Sequence, residues 1–218
     1  MKLIFVIFSA MLFINVDAQI KKGSVLLGSS LSYQKTTQEF SNPPYKFNYS
    51  AFSVSPAIGR AIKENLIVGI SINYGNNKND YSDTNYQKNN SYGIGFFARK
   101  YKYLGSNFYL FAQTSFNGNY SSGSGRNFNQ YPNKYNSNGF DIALSFYPGV
   151  SYAINNKFQI ETGFNNLFNV SYSHTKRTDD PSLNYNPYKQ NSFSISSSLN
   201  NPSNFIIGFR ILLNRHKI

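Results

Sequence analysis

The chain has 218 residues, 40% of them hydrophobic and 17% aromatic, with 18 Tyr, 20 Phe and no Trp. Its 21 Lys and Arg against 9 Asp and Glu give a formal net charge of +12. Cysteine is absent, which excludes a disulfide framework and any thiolate metal site.

Lys2 and the apolar stretch Leu3 to Ile14 have the form of an export signal. Asn15-Val16-Asp17-Ala18 then sets small residues before a cleavage point ahead of Gln19. The apolar stretch is too short for a membrane helix, which needs roughly 20 residues. The reading predicts a cleaved signal over 1–18 and one domain over 19–218. No later segment is apolar over a helix-spanning length.

From there a period of two recurs, separated by turn signals. Gly23 to Gln34 sets Val25, Leu27, Leu31 and Tyr33 against Ser24, Gly28, Ser30 and Ser32, with Leu26 as the exception. Tyr49 to Ile62 and Leu66 to Gly75 form the clearest hairpin, turning at Lys63-Glu64-Asn65. Ser91 to Lys102 alternates Tyr92, Ile94 and Phe96 with Gly93, Gly95 and Arg99. Asn107 to Asn119 follows a turn near Leu104-Gly105-Ser106, and Gly139 to Ile154 leads through Asn155-Asn156-Lys157 into Phe158 to Tyr172. The eighth run is Phe205 to Leu213, with Ser192 to Leu199 as its outer part. Pro56 and Pro148 lie inside runs, where a missing amide predicts a bulge or a local break in pairing.

Connection lengths alternate as well. Short turns follow Ile62, Tyr103 and Ile154, whereas 35–48, 76–90, 120–138 and 173–191 are long, polar and rich in Asn, Ser, Tyr and Gly. Short turns on one side and long loops on the other are the pattern of an outer-membrane barrel. A sheet in lipid cannot leave an edge, so the strands must close. The expected fold is all-β: a closed, antiparallel, eight-stranded transmembrane up-and-down barrel with periplasmic turns and extracellular loops. Gly and Ser fill its narrow lumen, and Tyr74, Tyr92, Tyr109, Tyr152 and Tyr172 supply aromatic girdles.

Several segments carry a resemblance. Phe52-Ser53-Val54-Ser55-Pro56-Ala57-Ile58-Gly59 with Glu64-Asn65-Leu66-Ile67-Val68-Gly69, Phe97-Ala98-Arg99-Lys100-Tyr101, and Ser145 to Tyr152 resemble the porin-like outer-membrane β-barrel domain of Gram-negative bacteria. The resemblance implies an outer-membrane location in a Gram-negative bacterium. It also implies membrane lipid and the outer-membrane assembly machinery as partners, and it implies no single activity. Arg60 stands where the family has an aromatic, and the chain ends Arg215-His216-Lys217-Ile218 rather than on an aromatic.

The topology sorts the charge. Much of the excess falls at the periplasmic rim, with Arg60, Lys63, Lys102 and Lys157 among its cations. Cations beside anionic headgroups gain about 1 kcal/mol each, and Arg60 can snorkel to that interface. No nucleic-acid motif accompanies the charge, so nucleic acid is not an expected partner. In the lumen, Arg99, Arg210, Glu161 and Asp141 balance. They are expected to form an ion-pair cluster near the periplasmic end, with Glu161 pairing Arg210 first and Arg99 second.

Catalytic chemistry finds little support. His174 beside Ser171 and Ser173 lacks the third group that an activated nucleophile needs. The two histidines are far apart with no carboxylates gathered beside them, so no metal site or cofactor is expected. Tyr81, Tyr86, Tyr131 and Tyr135 stand among polar loop residues, where girdle or loop packing is the first expectation and contact with an extracellular glycan or protein the second. The expected function is a structural or surface-interaction role. A narrow solute channel is the alternative, then a membrane acyl hydrolase, and a soluble ligand-binding barrel would require the apolar face to point inward.

Overall fold

The computed structural model describes residues 20–41, 44–81, 85–127, 133–164, 167–179, 188–197 and 205–213. The expected signal at 1–18 lies outside them. Ten strands follow in chain order: β1 (Val25–Ser41), β2 (Pro44–Lys63), β3 (Leu66–Asp80), β4 (Tyr86–Gly105), β5 (Phe108–Asn127), β6 (Asn133–Ala153), β7 (Phe158–Phe164), β8 (Phe168–Asp179), β9 (Tyr188–Ser197) and β10 (Phe205–Leu213). β1 to β6 pair in sequence, β6 pairs β7, β7 pairs β10, and β10 returns to β1. That ring is a closed, antiparallel, eight-stranded barrel. β8 and β9 pair with each other and continue the seventh and eighth spans upward against β6.

The seventh and eighth spans are each divided, and Pro148 lies at one division. β6 pairs β7 up to Gly149↔Gly163 and β8 from Phe146↔Phe168. Three steps on β6 therefore face five on its partner. A proline at that point has no amide for the ladder. Pro56 acts more gently. Val54↔Tyr74 and Ala57↔Ser71 keep one register, and Ser55 and Pro56 are passed over. The pairing breaks there without a bulge.

The turns at one end are built by asparagine. Asn65 adopts a left-handed φ of 58°, which Asn tolerates better than most residues. Its side-chain oxygen accepts from the Ile20 amide at 2.9 Å and its own amide donates to the Ile20 carbonyl at 3.0 Å. Asn155 Oδ1 accepts from the Lys157 and Phe158 amides at 2.8 and 2.9 Å, a local Asx-type turn. Gly105, Ser106 and Asn107 all have positive φ in the remaining turn.

At the other end the long polar segments are themselves largely strand. β1 and β2 stay paired out to Ser41↔Pro44, and β5 and β6 out to Asn127↔Asn133. Backbone ladders need no particular side chain, so alternation of apolar residues can stop while pairing continues. Polar cross-strand contacts replace it: Thr37 with Asn48 at 3.0 Å, Asn76 with Asn90 at 2.6 Å, and Lys46 with Glu39 at 2.8 Å.

The exterior is apolar. One continuous row runs Ile58, Ile70, Phe96, Phe116, Leu144, Val170 and Ile195 through successive registers. Phe96 is 55% exposed on that surface. Above it Tyr74, Tyr92, Tyr120 and Phe140 form a second row. Below, Phe108 meets Tyr152 with ring centroids 4.8 Å apart. Between Leu110 and Tyr120 the strand rises about 3.3 Å per residue, and a tilt of about 40° projects this to roughly 25 Å, the height of a lipid-facing band.

The interior shows why several positions must be glycine. A Cβ at Gly163 would lie 2.7 Å from the Gly149 Cα and 2.8 Å from the Tyr147 ring, while one at Gly118 would meet nothing. Gly163→Ala is therefore expected to destabilise the folded barrel by about 1–3 kcal/mol, the usual range for overpacking, and Gly118→Ala to leave it unchanged. Urea titration of the folded, heat-modifiable band measures both. Equal midpoints for the two variants would contradict this packing.

Candidate functional site: the lumen floor and the mouth

At the turn end, large side chains cluster inside the barrel. Leu26, Ala61, Ile67, Phe97, Tyr101, Phe111, Tyr147 and Leu212 are buried there, and Ile20 tucks in beneath them. Leu26, the exception to its strand's alternation, thereby has its explanation: it points into this floor.

At the centre of the floor is Glu161 on β7. Arg99 Nη1 lies 2.5 Å from Glu161 Oε2, and Arg210 Nη2 lies 2.6 Å from Oε1. The Glu161 and Arg99 side chains are 0% and 1% exposed, and that of Arg210 is 11% exposed. Register explains the meeting. Glu161 stands opposite Gly208, whose missing side chain leaves it room, and Arg210 stands opposite Gly28 for the same reason. Both arginines reach the carboxylate at nearly equal length, so the expected order of pairing does not appear.

Arg99 is further satisfied by Gln113 Oε1, which accepts from Nε at 2.7 Å, and by the Tyr101 hydroxyl at 3.2 Å from Nη1. Its guanidinium carbon lies 4.4 Å from the Phe111 ring centroid, with Tyr101 and Tyr147 at 5.8 and 5.9 Å. A desolvated cation over an aromatic face gains about 2 kcal/mol. Arg210 Nη1 donates to the Ser29 and Phe209 carbonyls at 3.2 and 3.1 Å.

Asp141 does not join this cluster. It shares the lumen face, but Ser151 is the β6 residue registered with Glu161. Ten residues (151 minus 141) separate the two along the strand, about 33 Å at ordinary strand rise. Asp141 instead accepts from Asn119 Nδ2 at 2.9 Å. Between it and the floor lies a cavity of about 520 Å³, lined by Ser55, Ser71, Asn73, Ser115, Asn117 and Asn169 among others. Tyr109 is a second correction. It has the parity of Phe111 and packs inward against the floor, not in an outer girdle.

The floor aromatics were readable by parity. Phe97 and Tyr101 flank Arg99 at spacing two, Phe111 has the spacing of Gln113, and Tyr147 that of Ser145. Composition alone hid them, because Gly and Ser dominate the same face higher up.

At the hairpin end, Tyr81, Tyr86 and Tyr135 come together around a cavity of about 540 Å³, joined by Tyr188, Gln87, Gln190 and Arg177. Tyr131 lies outside the described residues. The Arg177 guanidinium stacks 3.8 Å from the Tyr135 ring centroid, and its Nε is 2.9 Å from Asp179. Burial pushes the Tyr135 hydroxyl pKa up, and Arg177 partly offsets that. Tyr188 sits on β9, where Tyr-Lys-Gln shows no alternation to mark it. Of the rim cations, Arg60 is exposed on the outer face between Val25 and Val68, Lys63 ends β2, Lys102 registers with Leu110, and Lys157 lies in the β6–β7 turn. His174 registers with Phe140, with ring centroids 5.6 Å apart, and its Nδ1 lies 2.7 Å from Asn191 Oδ1. By strand alternation, Ser171 and Ser173 face the other side of the sheet.

Fold and lumen together define a small closed β-barrel with an apolar outside and a polar, floored inside. No family model matches the chain. No curated protein matches it either. Among solved structures it is similar to the translocator domain of the autotransporter NalP from Neisseria meningitidis, at 12% identity over 97% of this chain and 92% of that one, with a TM-score of 0.42. Neisserial surface protein A is similar at 15% identity over 89% and 99%, with a TM-score of 0.37. The ferric yersiniabactin uptake receptor FyuA from Yersinia pestis is similar at 9% identity and a TM-score of 0.40, over 81% of this chain and 31% of the receptor.

Removing the carboxylate should expose the cost of the floor. Glu161→Gln leaves two buried cations without their partner and is expected to lower stability by about 3–5 kcal/mol. Adding Arg210→Met should restore part of the loss. Denaturant unfolding of the detergent-folded protein measures both, and an unaltered midpoint in Glu161→Gln would refute the pairing.

Proposed function

We propose that this chain is an integral outer-membrane β-barrel of a Gram-negative bacterium, exported by a signal cleaved near Ala18. Its role is structural or surface-interacting rather than catalytic. One observation carries the membrane reading: the inversion of the barrel, with large apolar side chains outside and Arg, Glu, Ser and Asn inside. In water that exterior would be a single patch far larger than soluble monomers expose. In lipid it is the required surface, and closure removes the unpaired edges that lipid forbids.

The floor favours an interaction role over conduction. Arg99, Glu161 and Phe111 are buried across the lumen, so the polar cavity above them ends in a plug. The mouth, by contrast, offers tyrosine faces with Gln87, Gln190, Ser137 and Thr175 around a cavity. Aromatic planes for C–H faces and amides for hydroxyls suit a glycan, with an extracellular protein as the other candidate. The narrow-channel reading keeps one supporting observation, the polar cavity itself. Lipid and the assembly machinery are the remaining partners, and the Arg60, Lys63, Lys102 and Lys157 rim anchors the barrel at anionic headgroups.

Replacing Tyr81, Tyr135 and Tyr188 together with Ser is expected to reduce binding of whole cells to a glycan array several-fold while the folded band stays heat-modifiable. Undiminished binding across the array would remove the mouth from the account.

A further inference from the structure

Among the described residues, the floor of the lumen is not electrically balanced. Arg99 and Arg210 bring two guanidinium charges to one carboxylate, Glu161. All three are largely or fully buried, so one positive charge remains in a poorly solvated place. The remaining charged residue lining the cavity, among the described residues, is Asp141, six residues before Tyr147 on the same strand, about 20 Å at ordinary rise, and held by Asn119. At that distance across a hydrated cavity it offers little compensation, being more than two Debye lengths of about 8 Å away at physiological salt.

A second observation at the same place is independent of charge. The Tyr147 hydroxyl is buried in a residue only 6% exposed, and it has no hydrogen-bond partner among the described residues. Buried polar atoms in native proteins are nearly always satisfied. Four of the five Arg99 donors go to Gln113, Tyr101 and Glu161, and Arg99 makes no bond to this hydroxyl. Tyr147 and Arg210 are both walls of the 520 Å³ cavity, which also presents Ser and Asn donors.

We propose that a small monovalent anion, of halide or formate size, binds at the lumen floor between Arg210 and the Tyr147 hydroxyl. The guanidinium supplies the charge and the hydroxyl a directed donor, a charge-assisted arrangement. Arg99 and Glu161 position Arg210 without contacting the anion. A divalent or bulky anion is disfavoured, because Glu161 lies against the same guanidinium and a second negative charge would meet it. The site opens on the 520 Å³ cavity and does not depend on what the mouth itself binds.

Chloride-35 NMR on the full-length protein folded in detergent tests this, with sodium chloride as the probe. The folded protein should broaden the chloride line beyond the same protein unfolded in denaturant, and sodium formate should remove the excess. Tyr147→Phe should reduce the excess several-fold, and Arg210→Met at least ten-fold. If Arg210→Met does not fold, Tyr147→Phe decides, since it deletes one oxygen and keeps the ring. No excess broadening in the folded wild type, or equal broadening in Tyr147→Phe, would overturn the proposal. The second result would assign chloride to the lysine rim instead.

Discussion

Everything at the closed end of this barrel depends on one carboxylate. Glu161 holds Arg99 and Arg210 from two other strands, and these link β4, β7 and β10 across the lumen. An eight-stranded barrel has an interior that side chains nearly fill, so a charge placed there must be paired or neutralised. The glycines opposite Glu161 and Arg210 and the rings around Arg99 make sense as the space and the walls of that pair. Such a pair adds little net stability over well-packed apolar residues. Its value is geometric: it ties together three strands across the lumen.

The outside and inside carry opposite chemistries. Apolar residues on one parity form rows that continue from strand to strand, whereas the other parity carries Ser, Asn and Gly up to the mouth. Beyond the apolar band both faces become polar, yet the ladders continue to the hairpin tips. The barrel therefore raises a paired polar wall above its band. The tyrosine-lined cavity at its top is made by strand ends as well as by connections.

How much of this was legible follows from which physical rule governed each part. Period two and the short turns located all eight spans, because an apolar outer face and a polar inner face constrain every second residue. The Glu161 pairings were legible too, since parity and distance from a turn place a side chain in three dimensions when strands are regular. Asp141 was misplaced because charge balance says nothing about height along a strand. Tyr109 was misplaced because an aromatic near a strand end suits a girdle or a floor equally, and parity with Phe111 decides it. The outer hairpins were hidden because Asn and Ser there pair through backbone, which leaves no hydropathy signal. Tyr188 escaped for the same reason.

The central claim is that the lumen is sealed at Arg99, Glu161 and the rings around them. Planar-bilayer recording of the purified, folded protein tests it most directly. The account predicts no steady conductance steps from the wild type, and steps once Arg99 and Glu161 are both replaced by Ala. Steady steps from the wild type, unchanged in that double variant, would contradict it.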